Sequence, residues 1–196
     1  MKKRLSAFLM LVVVSGCSTR IFSNTPRTAI EQLLLTAAVD KAVEKIELPE
    51  VAGKKVFVDT AALKAFDAEY IKVAVRARFA RIGAILVPKD TDADYVAEVA
   101  SGCEGTEYKS GMIGLPPIPV PNSSMPTPEL AFYRKVEQTG ILKLLIFVHD
   151  KGKFVASGQY YAKADRDEAF ILFFRFQHRD DVRKGWQRAQ VSLKEK

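Results

Sequence analysis

The chain has 196 residues, 48% of them apolar, 27% charged and 10% aromatic, with a formal net charge of +7. That length suits one globular domain plus a leader, and the composition excludes a disordered, collagen-like or disulfide-scaffold chain. Two histidines and two cysteines leave little material for a histidine–cysteine metal cluster or a thiol protease dyad.

The amino terminus reads Met1-Lys2-Lys3-Arg4, then an apolar run from Ala7 to Val14, then Ser15-Gly16-Cys17-Ser18. A basic segment, a short apolar core and small residues before the cut describe a secretory signal peptide. The run falls short of the ~20 residues that span a bilayer as a helix. Val14-Ser15-Gly16-Cys17 resembles the bacterial lipoprotein lipobox, with valine where leucine is most usual. That resemblance implies cleavage before Cys17, diacylglycerol on its sulfur and an acyl chain on the new amino terminus. Two or three such chains anchor a protein durably, since each buried methylene contributes about 0.8 kcal/mol. Ser18 in place of aspartate resembles the outer-membrane sorting signal of enteric-type bacteria. Cleavage removes three of the 30 basic residues against 23 acidic ones, leaving a mature charge of about +4, too mild for dedicated nucleic-acid binding. Residues 1–16 are thus expected to be the signal peptide, 17–24 a lipidated tether, 25–182 the α/β domain and 183–196 a basic tail. Cys103 then has no partner within the chain, and no CxxC spacing supports thioredoxin-like chemistry.

Along the mature chain, Thr25-Pro26 offers a capping side chain followed by proline, and Ile30, Leu33, Leu34, Ala37 and Ala38 form an apolar face. A helix is predicted from there to near Leu48-Pro49. Residues 54–59 read as a strand. From Asp67 the spacing of Ile71, Ala74, Val75, Phe79 and Ile82 predicts a second helix, with Arg76, Arg78 and Arg81 towards its end and Gly83 as terminator. Residues 84–87 and 94–101 are predicted strands. Between Gly102 and Pro128 lie four glycines and six of the nine prolines, and a long extended loop is expected there. Thr127-Pro128 repeats the cap-plus-proline signal and predicts a short helix to about Gln138. A strand over 139–148, a turn at 150–153 and a partner strand over 154–161 form a hairpin. Residues 169–178 are expected to be a last, buried central strand, a reading preferred to membrane contact by its aromatic run 170–176.

This order predicts an α/β (α+β) single domain, a mixed sheet packed by two to three helices, with a long Pro/Gly-rich loop. Around 70–101, a longish helix, Arg-Ile-Gly-Ala-Ile-Leu-Val and Ala-Asp-Tyr-Val-Ala-Glu-Val are distantly similar to exported envelope proteins: the TolB amino-terminal domain, the curli secretion lipoprotein and lipoprotein activators of penicillin-binding proteins. Three further segments resemble a family of uncharacterised bacterial lipoproteins carrying a domain of unknown function. They are Asn24-Thr25-Pro26-Arg27-Thr28-Ala29-Ile30-Glu31-Gln32-Leu33-Leu34, Ile118-Pro119-Val120-Pro121, and Thr127-Pro128-Glu129-Leu130 leading to Gln138-Thr139-Gly140. The resemblance implies a lipoprotein domain and carries no catalytic residue.

Candidate chemistry is sparse. His149-Asp150 could be half of a triad, but no nucleophile elbow precedes it, and a turn-capping aspartate beside a surface histidine is the preferred account. His178 with Asp180 and Asp181 could hold a metal, but an exposed strand end is the preferred account. Asp92 and Asp94 sit in a turn without an apolar pocket to raise a pKa. There is no Walker, Rossmann or zinc signature. The expectation is a non-enzymatic, outer-membrane-anchored lipoprotein without cofactor, facing the periplasm and binding another envelope protein. Cys17 would be its lipid attachment, and Ile118, Pro119, Val120 and Pro121 its contact loop. The alternatives are an oligomeric secretion or assembly accessory, and a small-ligand carrier or hydrolase.

Overall fold

A computed structural model describes residues 27–119, 121, 125–172 and 174–183. Cys17, Val120 and most of the basic tail lie outside the described residues. In chain order the elements are α1 (Ala29–Glu44), β1 (Lys55–Asp59), α2 (Ala68–Arg81), β2 (Ile85–Leu86), β3 (Tyr95–Leu115), β4 (Leu130–Asp150), β5 (Lys153–Ile171) and β6 (Phe174–Asp180), with 3-10 turns at Pro49–Val51 and Asp90–Asp92. The strands form one mixed sheet in the order β2-β1-β3-β4-β5-β6. β1 runs parallel to β2 and β3, as a strand–helix–strand crossover requires. The remaining pairs are antiparallel. The expected single α/β domain on a mixed sheet is therefore present, with α1 and α2 packed on it.

Both helices cover the same face of one half of the sheet. Period-2 alternation along β4 sends Leu142, Leu144, Ile146 and Val148 under them, beside Ala97 and Val99 of β3 and Ala156, Ala162 and Ala164 of β5. Leu34, Ala38, Val39, Ala42, Ile71, Val75 and Phe79 descend from the helices, and no polar or charged residue is buried among those described. The alanines of β5 keep its surface low, and Gly140 removes a side chain where α1 comes closest. A Cβ there would stand 2.5 Å from the Leu34 carbonyl oxygen, so only glycine fits. α1 starts at a reciprocal capping box, in which Thr28 accepts from the Glu31 amide and the Glu31 side chain accepts from the Thr28 amide.

Beyond the helices β3, β4, β5 and β6 continue as an arm. At about 3.3 Å per residue, the stretch of β4 before Gly140 extends roughly 30 Å. Here the structure corrects several expectations. The stretch after Gly102 is not loop until Leu115, because β3 continues past a bulge at Ser101/Cys103 and pairs with β4 almost to its end. The helix expected from Thr127 to Gln138 is instead the start of β4. Phe132, Tyr133, Val136 and Thr139 suit a strand with neighbours on both sides, and cross-strand pairing outweighs a local capping signal. The expected strand over 169–178 is broken: β5 ends at Ile171, Leu172 adopts φ 53, and β6 starts at Phe174. β6 occupies the sheet edge with Phe174 and Phe176 exposed, so it is not a buried central strand. α1 begins after Thr28, not Thr25, and stops at Glu44, before the Leu48-Pro49 limit. The hairpin at 150–153 is as expected, with Lys151 and Gly152 at φ 45 and 86 in the two-residue turn.

Candidate interaction surface

Three zones follow one another along the arm. Next to the helices the strands alternate between core and solvent. Then comes a charged belt. On one face of the sheet Arg166 and Arg175 both pair with Glu168; on the other Arg179 lies 3.8 Å from Asp165 and 3.9 Å from Asp167, and Lys135 pairs with Glu137. The hydrogen bond and charge between Lys135 and Glu137 hold the carboxylate below its ordinary range and raise the ammonium. Beyond the belt the character changes to apolar. Ile113 (67% exposed), Leu115, Leu130, Phe132 (62%), Ile171, Leu172, Phe174 (69%) and Phe176 all present side chains to solvent.

The register brings these residues together from distant parts of the chain. Ile113 pairs with Tyr133, Tyr133 with Ile171, and Ile171 with Phe174, so one row across four strands is apolar or aromatic. The Leu172 amide donates to the Phe132 carbonyl at 2.9 Å, tying the β5–β6 turn to β4. Soluble monomers rarely expose large apolar patches, and these side chains cap a projection. Cations stand at its base: Arg134, paired with Glu129 at 3.0 Å, and Arg175, which also lies over the Phe170 ring.

The proline loop belongs to the same tip. The Ile118 amide donates to the Thr127 hydroxyl at 2.8 Å and the Thr127 amide to the Ile118 carbonyl at 2.9 Å, closing the loop at its neck. Ile118, Pro119 and Pro121 are exposed, and Val120 lies outside the described residues. Sequence reasoning thus singled out one segment of this surface and missed Leu130, Phe132 and Phe174. The signal that could have found them was the apolar character at both ends of what is one antiparallel stack.

The remaining candidates separate. His149 serves its own hairpin: Nδ1 accepts from the Gly152 amide at 3.1 Å, while Nε2 faces Glu98 Oε1 at 3.2 Å. The histidine, not the expected aspartate, caps this turn. Near His178, Asp180 accepts from Gln177 and from the Arg183 amide, and Asp181 accepts from Lys41 at 2.7 Å and from the Asp165 amide. Asp94 accepts from the Lys55 amide, a structural bond at the start of β1. No group of three or more potential ligands is placed to hold a metal among the described residues. Cys103 is an exposed free thiol on β3.

A shallow crevice of about 270 Å³ opens at the carboxyl ends of β1 and β2, between Asp59, Thr60, Leu86 and Pro88 and the Lys72–Arg76 face of α2. Asp59 accepts from the Ala61 amide at 2.9 Å, so it shapes the loop as well as lining the crevice. Two phenols stand apart from these surfaces. Partial burial, then a 2.7 Å hydrogen bond to Asp40 and its charge, raise the pKa of Tyr70. Burial also raises that of Tyr160.

None of the curated proteins compared with the chain matches it. No helix among the described residues is long and apolar enough to cross a membrane. A family model does match: residues 12–157, which take in α1, α2, β1 to β4 and the start of β5, fit the one described as a family of unknown function, DUF6655, and the chain belongs to that family.

Proposed function

We propose that the protein is a non-enzymatic, lipid-anchored binding module of the bacterial envelope, which presents the tip of its β-arm to another envelope component. The observation that carries this reading is the tip itself. A well-packed base spends its apolar residues on a core, whereas the arm carries Phe132, Phe174 and Ile113 outward past a belt of ion pairs. Such an arrangement leaves apolar surface available for a partner at little cost to the fold. Ile118, Pro119 and Pro121 extend the same surface with backbone already restricted by proline.

The anchor in this reading is Cys17, lipidated after signal cleavage, as Val14-Ser15-Gly16-Cys17 resembles a lipobox. Tethering to a membrane, the outer membrane by the Ser18 signal, raises the effective concentration of the tip for a partner in the same compartment. The likeness of 70–101 to envelope α/β domains supports the same setting. Photo-crosslinking amino acids placed at Phe132 and at Phe154 provide the test, since both rings are exposed but Phe154 sits beside the opposite, β4–β5 turn. Adducts in the native envelope from position 132 and not from 154 are expected. Equal yields from both, or adducts from 154 alone, would remove the tip from the reading. Mass spectrometry of the exported chain tests the anchor separately: a bare Cys17 sulfur excludes it.

A further inference from the structure

The flank of β3 turned away from β4 is open along the arm. β1 pairs only with the start of β3, from Tyr95 to Glu98. The segment after β1 covers the next stretch, where the Ser101 hydroxyl donates to the Lys64 carbonyl and the Phe66 and Asp67 amides donate to Glu104. From Gly105 onward β3 has β4 on one side, and no backbone hydrogen bond leaves its other side among the described residues. Exposed, flat edges of this kind template strand addition.

The residues along this edge read as a chemical palindrome: Gly105, Thr106, Glu107, Tyr108, Lys109, Ser110, Gly111. The run from Thr106 to Ser110 is exposed, Tyr108 by 62%. We propose that β3 pairs antiparallel with β3 of a second copy of this chain, about a two-fold axis through Tyr108. In that register Glu107 of each copy faces Lys109 of the other, Thr106 faces Ser110, and the glycines face each other. Directly opposed residues share a face of the sheet, as a two-fold axis perpendicular to it requires. Charge disfavours the two adjacent registers. Centring one residue earlier sets Glu107 against Glu107, and one residue later sets Lys109 against Lys109, both unfavourable cross-strand pairs.

The paired stretch runs from Gly105 to Gly111 and stops short of Glu104, whose flank the chain's own segment around Phe66 already covers. The product is a continuous sheet in which β3 is no longer an edge, with the two arm tips at opposite ends. The pairing needs neither the lipid anchor nor the tip, and it fails or holds independently of both.

Light scattering on the full chain in mild detergent, at high micromolar concentration, should give a dimer. E107K and K109E each set like charges opposite one another twice, and each should weaken association by about tenfold or more while melting as the wild type does. An equimolar mixture of the two variants should restore a heterodimer, and the double variant E107K/K109E should pair with itself. In a Cys103→Ser background, Tyr108→Cys should form a disulfide-linked dimer on mild oxidation, because Cβ atoms opposed across strands lie about 4.5–5.5 Å apart. A monomeric wild type, a dimer indifferent to both charge reversals, or a mixture that does not reassociate would each overturn the proposal, as would Tyr108→Cys that does not cross-link.

Discussion

The base and the arm use one sheet in opposite ways. In the base, β4 alternates strictly between core and solvent, with Leu142, Leu144, Ile146 and Val148 fully buried beneath two helices. In the arm the same strand has neighbours on both sides yet no helix above it among the described residues, and Phe132 stands 62% exposed. Backbone pairing is continuous from one region to the other, so the difference lies in side-chain burial. Strand pairing supplies order and reach, while the helix layer supplies most of the hydrophobic stabilisation. The arm can therefore hold apolar residues outward without the fold depending on them.

That contrast is best broken at Gly140, where base and arm meet. Gly140→Val drives a side chain into the Leu34 carbonyl, 2.5 Å from the first added carbon, and should cost about 3 kcal/mol or more by displacing α1. Urea denaturation followed by helical circular dichroism measures it. Leu144→Ala, at a fully buried position, should cost about 2–5 kcal/mol by the same measurement. Phe132→Ser and Phe174→Ser should change stability by less than about 0.5 kcal/mol each while abolishing partner adducts at the tip. A large loss of stability from either would show that the arm tip is packed and not presented.

Smaller effects sharpen the boundary. Thr28→Ala removes one half of the α1 capping box and should cost about 1 kcal/mol. Glu168→Gln breaks the pairs with Arg166 and Arg175 and should cost about 1 kcal/mol at low salt, shrinking as salt is added. The base contributes to the alkaline limb of stability. Tyr70 and Tyr160 have phenol pKa values raised in the folded state, so the folded chain retains their protons where the unfolded chain has lost them. Their contribution is complete below the ordinary phenol value of about 10 and falls as pH rises above it. Tyr70→Phe should flatten that limb in a pH series of melting temperatures.

Much of the base was legible in the chain. The second helix, β1 and the β4–β5 turn follow from spacing and turn chemistry that act over a few residues: Ile71, Val75 and Phe79 at helical intervals, or Lys151-Gly152 in a two-residue turn. The arm was read as loop, helix and central strand because each of its segments was judged alone. Glycines in β3 and the Thr127-Pro128 signal before β4 point away from strand locally, and nothing within ten residues announces the partner that overrides them.

The apolar tip shows the same division. The loop at Ile118 was singled out from its prolines, but Phe132 and Phe174 join it only through the register of four strands. Composition and short-range pattern determined an α/β domain, the bodies of α1 and α2, and the β4–β5 turn. Which apolar residues would be buried and which displayed was decided by tertiary structure, because burial depends on how far the helix layer reaches along the sheet. No single strand records where that cover stops.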